Sequence, residues 1–158
     1  DPMMQFKCHC IVCQKVFGNT LHALAMPQDE LEISGSLSNY YITGGSGNKL
    51  HYNLCPTCGT YVYNKPDLLD PMMYIPAGLL DGQIEFTPTV ELWTSQKPNN
   101  IPQATSTKAA FEDNGTTDRL MDMLENLDQR GSKLLKSLAF FYVDNKLYHI
   151  INGVISCC

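Results

Sequence analysis

Near the start of the chain, Cys8-His9-Cys10-Ile11-Val12-Cys13 gathers three thiols in one short run, and Cys55-Pro56-Thr57-Cys58-Gly59 adds two more in a CxxC turn. Two residues between cysteines let the backbone fold back so that both sulfurs reach one ion at about 2.3 Å. Gly59 stands where such a turn needs a positive φ, and Pro56 presets another φ within it. The CxCxxC run fills three corners of a tetrahedron and leaves the fourth open, the pattern of a reactive rather than a structural zinc. Two other chemistries use the same residue types. A redox dithiol calls for a βαβ context, whereas Thr60-Tyr61-Val62-Tyr63 reads as a strand leaving the turn. Disulfides suit small secreted chains, but seven cysteines is an odd number and no basic segment with an apolar stretch precedes them. His9 lies between two cysteines that face the metal. Adjacent side chains of an extended run point apart, so His9 is expected around the site or in solvent rather than as a ligand.

The elements that must position these thiols read as short strands. Thr20 to Met26 is closed by Pro27, Leu31 to Ser34 is ended by Gly35, and Leu37 to Thr43 runs into the loop Gly44-Gly45-Ser46-Gly47-Asn48. Lys49 to Leu54 alternates Leu50, Tyr52 and Leu54 with Lys49, His51 and Asn53, the period of a half-buried strand that delivers Cys55 into its turn. Tyr61 to Tyr63 is the outgoing arm, followed by strands at Met72 to Ile75 and Thr89 to Thr94, with a turn over Ala77 to Gly82. Such spacing predicts a mainly β, antiparallel fold without βαβ rhythm. One helix is expected over Asp118 to Gln129, where Leu120, Leu124 and Leu127 form a stripe and Gly131 stops it. The apolar tail from Ser132 to Cys158 is interrupted by Asp144-Asn145-Lys146 and is too broken for a membrane span.

The 158 residues fit one domain, in which 1–110 is expected to be the zinc-binding unit, 111–131 a helix packed on it and 132–158 a tail of uncertain role. A net charge of −5 leaves no clustered cations for nucleic acid or anionic lipid, and a cytoplasmic location is expected.

The two clusters, with Gln14-Lys15 and Gly18 after the first and CPxCGT as the second, resemble the family of glutathione-dependent formaldehyde-activating enzymes and centromere protein V over about Phe6 to Trp93. The resemblance implies a β-tent type of fold, folded antiparallel sheets held by zinc. It also implies a reactive zinc on Cys8, Cys10 and Cys13, and a structural zinc to which Cys55 and Cys58 give half the ligands. In that family the other half is an earlier CxC pair; residues 1–7 hold no cysteine, so one zinc or two can be expected. A merged site of Cys8, Cys10, Cys55 and Cys58 is the alternative. The implied activity is that of a carbon–sulfur lyase, joining glutathione as co-substrate to formaldehyde, with Lys7 and Lys15 flanking the loop and able to meet a glutathione carboxylate. A non-catalytic zinc module for protein partners and an inactive truncated relative are the competing expectations.

Overall fold

The computed structural model describes residues 2–33, 35–80 and 83–114, together with the backbone of 139–141. Its strands are β1 (Met4–Cys8), β2 (Leu21–Pro27), β3 (Leu31–Ile33), β4 (Ser38–Thr43), β5 (Lys49–Leu54), β6 (Tyr61–Pro66), β7 (Met72–Pro76), β8 (Val90–Leu92), β9 (Ala109–Ala110) and β10 (Ala139–Phe141). One α-helix, α1 (Ile11–Phe17), stands between β1 and β2. The helix expected over Asp118 to Gln129 lies outside the described residues. So does the apolar tail, apart from β10, which pairs in parallel with β3.

Eight strands form one sheet in the order β4-β5-β6-β7-β2-β1-β8-β9. The mainly β expectation holds, and most pairings are antiparallel, but β8 runs parallel to both β1 and β9. Those three strands come from distant parts of the chain, so no hairpin turn dictates their direction. The sheet is nearly divided between β6 and β7, where one residue pair, Asn64 with Tyr74, carries the register.

Both faces of the central strands are covered. Leu21, Ala23 and Ala25 of β2 join Met4, Phe6, Cys8, Val90 and Leu92 in one core cluster, while Leu24 and Met26 join Ile75, Val62 and Leu80 in the other. Burial on both faces explains why β2 reads as a nearly continuous apolar run rather than an alternating one. Across the first face a single row of register partners runs Tyr40, Tyr52, Asn64, Tyr74, Ala25, Met4 through five strand pairings.

The β5–β6 hairpin closes through Cys55 to Gly59. The Gly59 N–H donates to the Cys55 carbonyl at 2.9 Å, and the Cys55 N–H donates to the Thr60 carbonyl at 2.9 Å. Gly59 has φ +72°, and a Cβ built on it meets nothing within 4 Å. Its substitution therefore tests backbone conformation alone. Gly59→Ala is expected to cost about 1 kcal/mol in urea unfolding, from left-handed strain without a clash; an unchanged midpoint would mean that the turn does not depend on this conformation.

Candidate metal centre

Strand alternation explains how three thiols of a six-residue run come to one side. Phe6 and Cys8 share a face with their β8 partners Val90 and Leu92, while Lys7 pairs with Glu91 on the opposite face. The chain continues extended past Cys8, with the His9 N–H donating to the Leu92 carbonyl at 3.0 Å. His9 thus falls on the Glu91 side and Cys10 returns to the Cys8 side. Helix α1 begins there. Cys10 is its N-cap (φ −60°, ψ 149°), and its Sγ accepts the Cys13 N–H at 3.3 Å. The three-residue spacing of a helix turn then sets Cys13 over Cys10. Gly18 closes the helix with φ 70°.

The three sulfurs lie within 4.8 Å of one another, and all three residues are buried. Among the described residues this is the one group of three or more cysteine, histidine or acidic side chains so placed. Their protons are unequally held. Hydrogen bonds from Cys13 and then Cys8 hold Cys10 far below the usual thiol range, to about 3. The same bonding to Cys10 pushes Cys8 up to about 12 and Cys13 higher still, with burial adding to both. Cys10 is therefore the thiol whose proton is most easily lost, and Cys8 and Cys13 hold theirs. Binding of a soft divalent ion by all three sulfurs requires the release of their protons. Three thiolates at 2.3 Å from one tetrahedral centre stand about 3.8 Å apart, so a small contraction of this cluster suffices. The donor set and its spacing fit a metal such as zinc.

Behind the sulfurs stands a buried polar brace that sequence reasoning did not find. His9 and Glu91 are both fully buried. Glu91 Oε2 accepts from His9 Nε2 at 3.0 Å and Lys97 Nζ at 2.7 Å; Oε1 accepts from the Ala104 N–H at 2.9 Å and the Thr107 hydroxyl at 3.2 Å. Burial lowers the His9 pKa and keeps the ring neutral, so Nε2 carries the proton and Nδ1 accepts from the Thr20 hydroxyl at 2.9 Å. The expectation that His9 sits around the site is met; solvent is not its surroundings. Gln14, noted only as part of a motif, donates to the His9 carbonyl at 2.6 Å and to the Gln96 carbonyl at 2.8 Å. The Gln96 side chain accepts the Ile11 N–H at 2.7 Å.

Cys55 and Cys58 lie elsewhere. Cys55 is buried in the second core cluster, with Leu24 and Ile75, while Cys58 is exposed with its sulfur 3.0 Å from the Thr60 hydroxyl. They do not join the first three cysteines in one cluster. All five described cysteines are free of disulfides; Cys157 and Cys158 lie outside the described residues.

The three thiols line a cavity of about 70 Å³, with Phe6, Leu21, Leu69, Tyr74, Leu92 and Trp93 as its apolar walls and Asn64 and Lys49 also on its surface. Trp93 is the one non-glycine residue at positive φ (59°) among those described. A Cβ on Gly45 would stand 2.6 Å from the Trp93 ring, so glycine here lets the β4–β5 loop lie flat on the indole. Left-handed strain at Trp93, costing about 1–3 kcal/mol, turns the chain after β8 so that Gln96 reaches α1. No helix among the described residues is long and apolar enough to cross a membrane.

The brace yields a prediction with a defined sign. Burial opposes ionisation of Glu91, but the bonds from Lys97, Ala104 and His9 outweigh it and hold the carboxyl down to about 2, against an ordinary value of 4.5. Its stabilising contribution is complete above the unfolded-state value and is lost as pH falls from about 4.5 towards 2. Glu91→Gln should lower stability near neutral pH by about 3 kcal/mol and flatten the acid limb of stability against pH. An unchanged acid limb in denaturant unfolding would contradict the assignment.

No curated protein matches the chain. The family model for glutathione-dependent formaldehyde-activating enzymes matches residues 1–96, a region that contains both cysteine clusters and the walls of the cavity. By this match the chain belongs to the glutathione-dependent formaldehyde-activating enzyme family.

Proposed function

We propose that this protein is a carbon–sulfur lyase that joins glutathione to formaldehyde as S-hydroxymethylglutathione, with one zinc held by Cys8, Cys10 and Cys13. The observation that carries this reading is the gathering of three buried thiols on the lining of one largely apolar cavity, within the part of the chain that matches the family. A zinc ion held by Cys8, Cys10 and Cys13 would supply the charge that keeps a nearby thiol deprotonated near neutral pH.

The chain's own residues then do three things. The apolar walls keep water from the reacting carbon, which matters because formaldehyde hydrates readily. The reacting thiol end of glutathione enters the cavity beside the three cysteines, and the body of the tripeptide rests on the rim. Lys49 borders the cavity, and Lys15 is exposed in the last turn of α1; either ammonium can receive a glutathione carboxylate. In the addition a sulfur–carbon bond forms, the carbon–oxygen π pair moves to oxygen, and the proton given up by the thiol ends on that oxygen. The brace of His9, Glu91 and Gln14 holds the thiol-bearing turn in place. Cys55 and Cys58 are assigned to a second, structural zinc site, and residues 1–110 to the working unit. A zinc module serving only to bind a protein partner has no use for a cavity lined by three thiols.

Substitution separates these roles. Cys13→Ser should reduce glutathione-dependent formaldehyde consumption to the uncatalysed rate and remove one zinc per chain, with the circular-dichroism spectrum retained. Cys58→Ser should instead lower the thermal midpoint. Turnover surviving in Cys13→Ser, or equal loss of structure in the two variants, would contradict the division into a reactive and a structural site.

A further inference from the structure

Buried polar groups in folded proteins nearly always find partners, and each exception needs a reason. Among the described residues three buried side-chain atoms have none: both Nδ2 and Oδ1 of Asn64, and the hydroxyl of Tyr52. The two residues are direct partners across β5 and β6. Asn64 is 1% exposed and Tyr52 0%. Because neither amide atom of Asn64 is paired, exchanging the two ends of the amide does not remove the deficit. A β-bulge between Asn53 and Leu54 shifts the alternation of β6 here, so that Tyr61 and Asn64, three residues apart, both take the face of Tyr52. That face carries the cavity. Asn64 lines it together with Cys8, Cys10 and Cys13; Ser46, Asn48, Lys49 and Asn114 are the other polar residues on its lining, and of these five Asn64 alone is buried with both polar side-chain atoms unpaired.

An unpaired amide in such surroundings costs about 1–3 kcal/mol for each unsatisfied group, and leucine would fill the same space without that cost. We propose that Asn64 is the group that binds the oxygen of the small carbonyl substrate and of its thiol adduct, an inference that rests on the proposed function. The chemistry of the match is specific. A carbonyl oxygen only accepts, and Nδ2–H can donate to it. As the π pair moves onto oxygen the same donor faces growing negative charge, where a fixed donor in a dry site is strongest. Once protonated, the hydroxymethyl oxygen both accepts and donates, and the amide offers both counterparts. An S-alkyl group of the same size offers neither. Asn64 thereby selects an oxygenated one-carbon adduct over an alkyl thioether.

The test uses the full, zinc-loaded chain and isothermal calorimetry with two probes that share the peptide body and a thioether sulfur: glutathione in excess formaldehyde, which presents the hydroxymethyl adduct, and S-methylglutathione. Wild type should bind the adduct more tightly than S-methylglutathione. Asn64→Leu should weaken adduct binding about tenfold, the loss of one buried hydrogen-bonded partner, and leave S-methylglutathione unchanged. Its thermal midpoint without ligand should rise, since the unpaired amide is gone. If Asn64→Leu keeps the preference for the adduct while its midpoint falls, the amide is held by bound water for structural reasons; the proposal is then wrong and the proposed function stands. If wild type binds neither probe, the glutathione reading fails and the role of Asn64 fails with it.

Discussion

A carboxylate with no exposed surface survives in a fold only if its oxygens are filled by donors, and the arrangement of this molecule follows from how Glu91 meets that condition. Its four donors come from His9 after β1, Lys97 and Ala104 beyond β8, and Thr107 before β9. Satisfying one side chain therefore joins segments up to 98 residues apart, from His9 to Thr107. Because His9 lies between Cys8 and Cys10, fixing its ring on the far side of β1 turns both neighbouring sulfurs to the cavity side. The placement of the thiols depends on this buried pair more than on any contact between the sulfurs themselves.

What could be read in the sequence divides along physical lines. Strands with a strict two-residue alternation, such as Lys49–Leu54, were legible to the residue, because one half-buried face imposes its own pattern. The Gly59 turn was legible for the same local reason. Helix α1 was not, since Ile11, Val12, Val16 and Phe17 are β-branched or aromatic and its cap is a cysteine sulfur, a residue outside the usual capping set. The parallel direction of β8 was hidden because it is set by pairing with β1, more than eighty residues earlier. Glu91 looked like an ordinary polar position of a strand, and Asn64 lay just past the strand expected over Tyr61 to Tyr63. Only the tertiary structure shows that one is fully paired with no exposed surface and the other is unpaired beside the thiols.

The costs in this fold are concentrated around one cavity. Trp93 holds a left-handed backbone there, Gly45 gives up a side chain to lie against the indole, and the Asn64 amide goes without partners. Elsewhere β1 and β2 pack Met4, Leu24 and Ala25 with almost no exposed surface. Strain and unpaired polarity gathered on one cavity wall, in a molecule otherwise well packed, mark a site kept for binding rather than for stability. The unequal protonation of the three thiols belongs to the same picture. Hydrogen bonds from Cys13 and Cys8 favour loss of the Cys10 proton, and thiolate coordination of a metal requires such loss.

The claim on which the account rests is that the first three cysteines hold a metal with one position left open. X-ray absorption at the zinc edge, on protein loaded with one equivalent of zinc, tests it directly. The account predicts three sulfur ligands and one lighter atom in the resting protein, becoming four sulfurs when glutathione is added. Four sulfurs from the outset, unchanged by glutathione, would show a closed structural centre and contradict it.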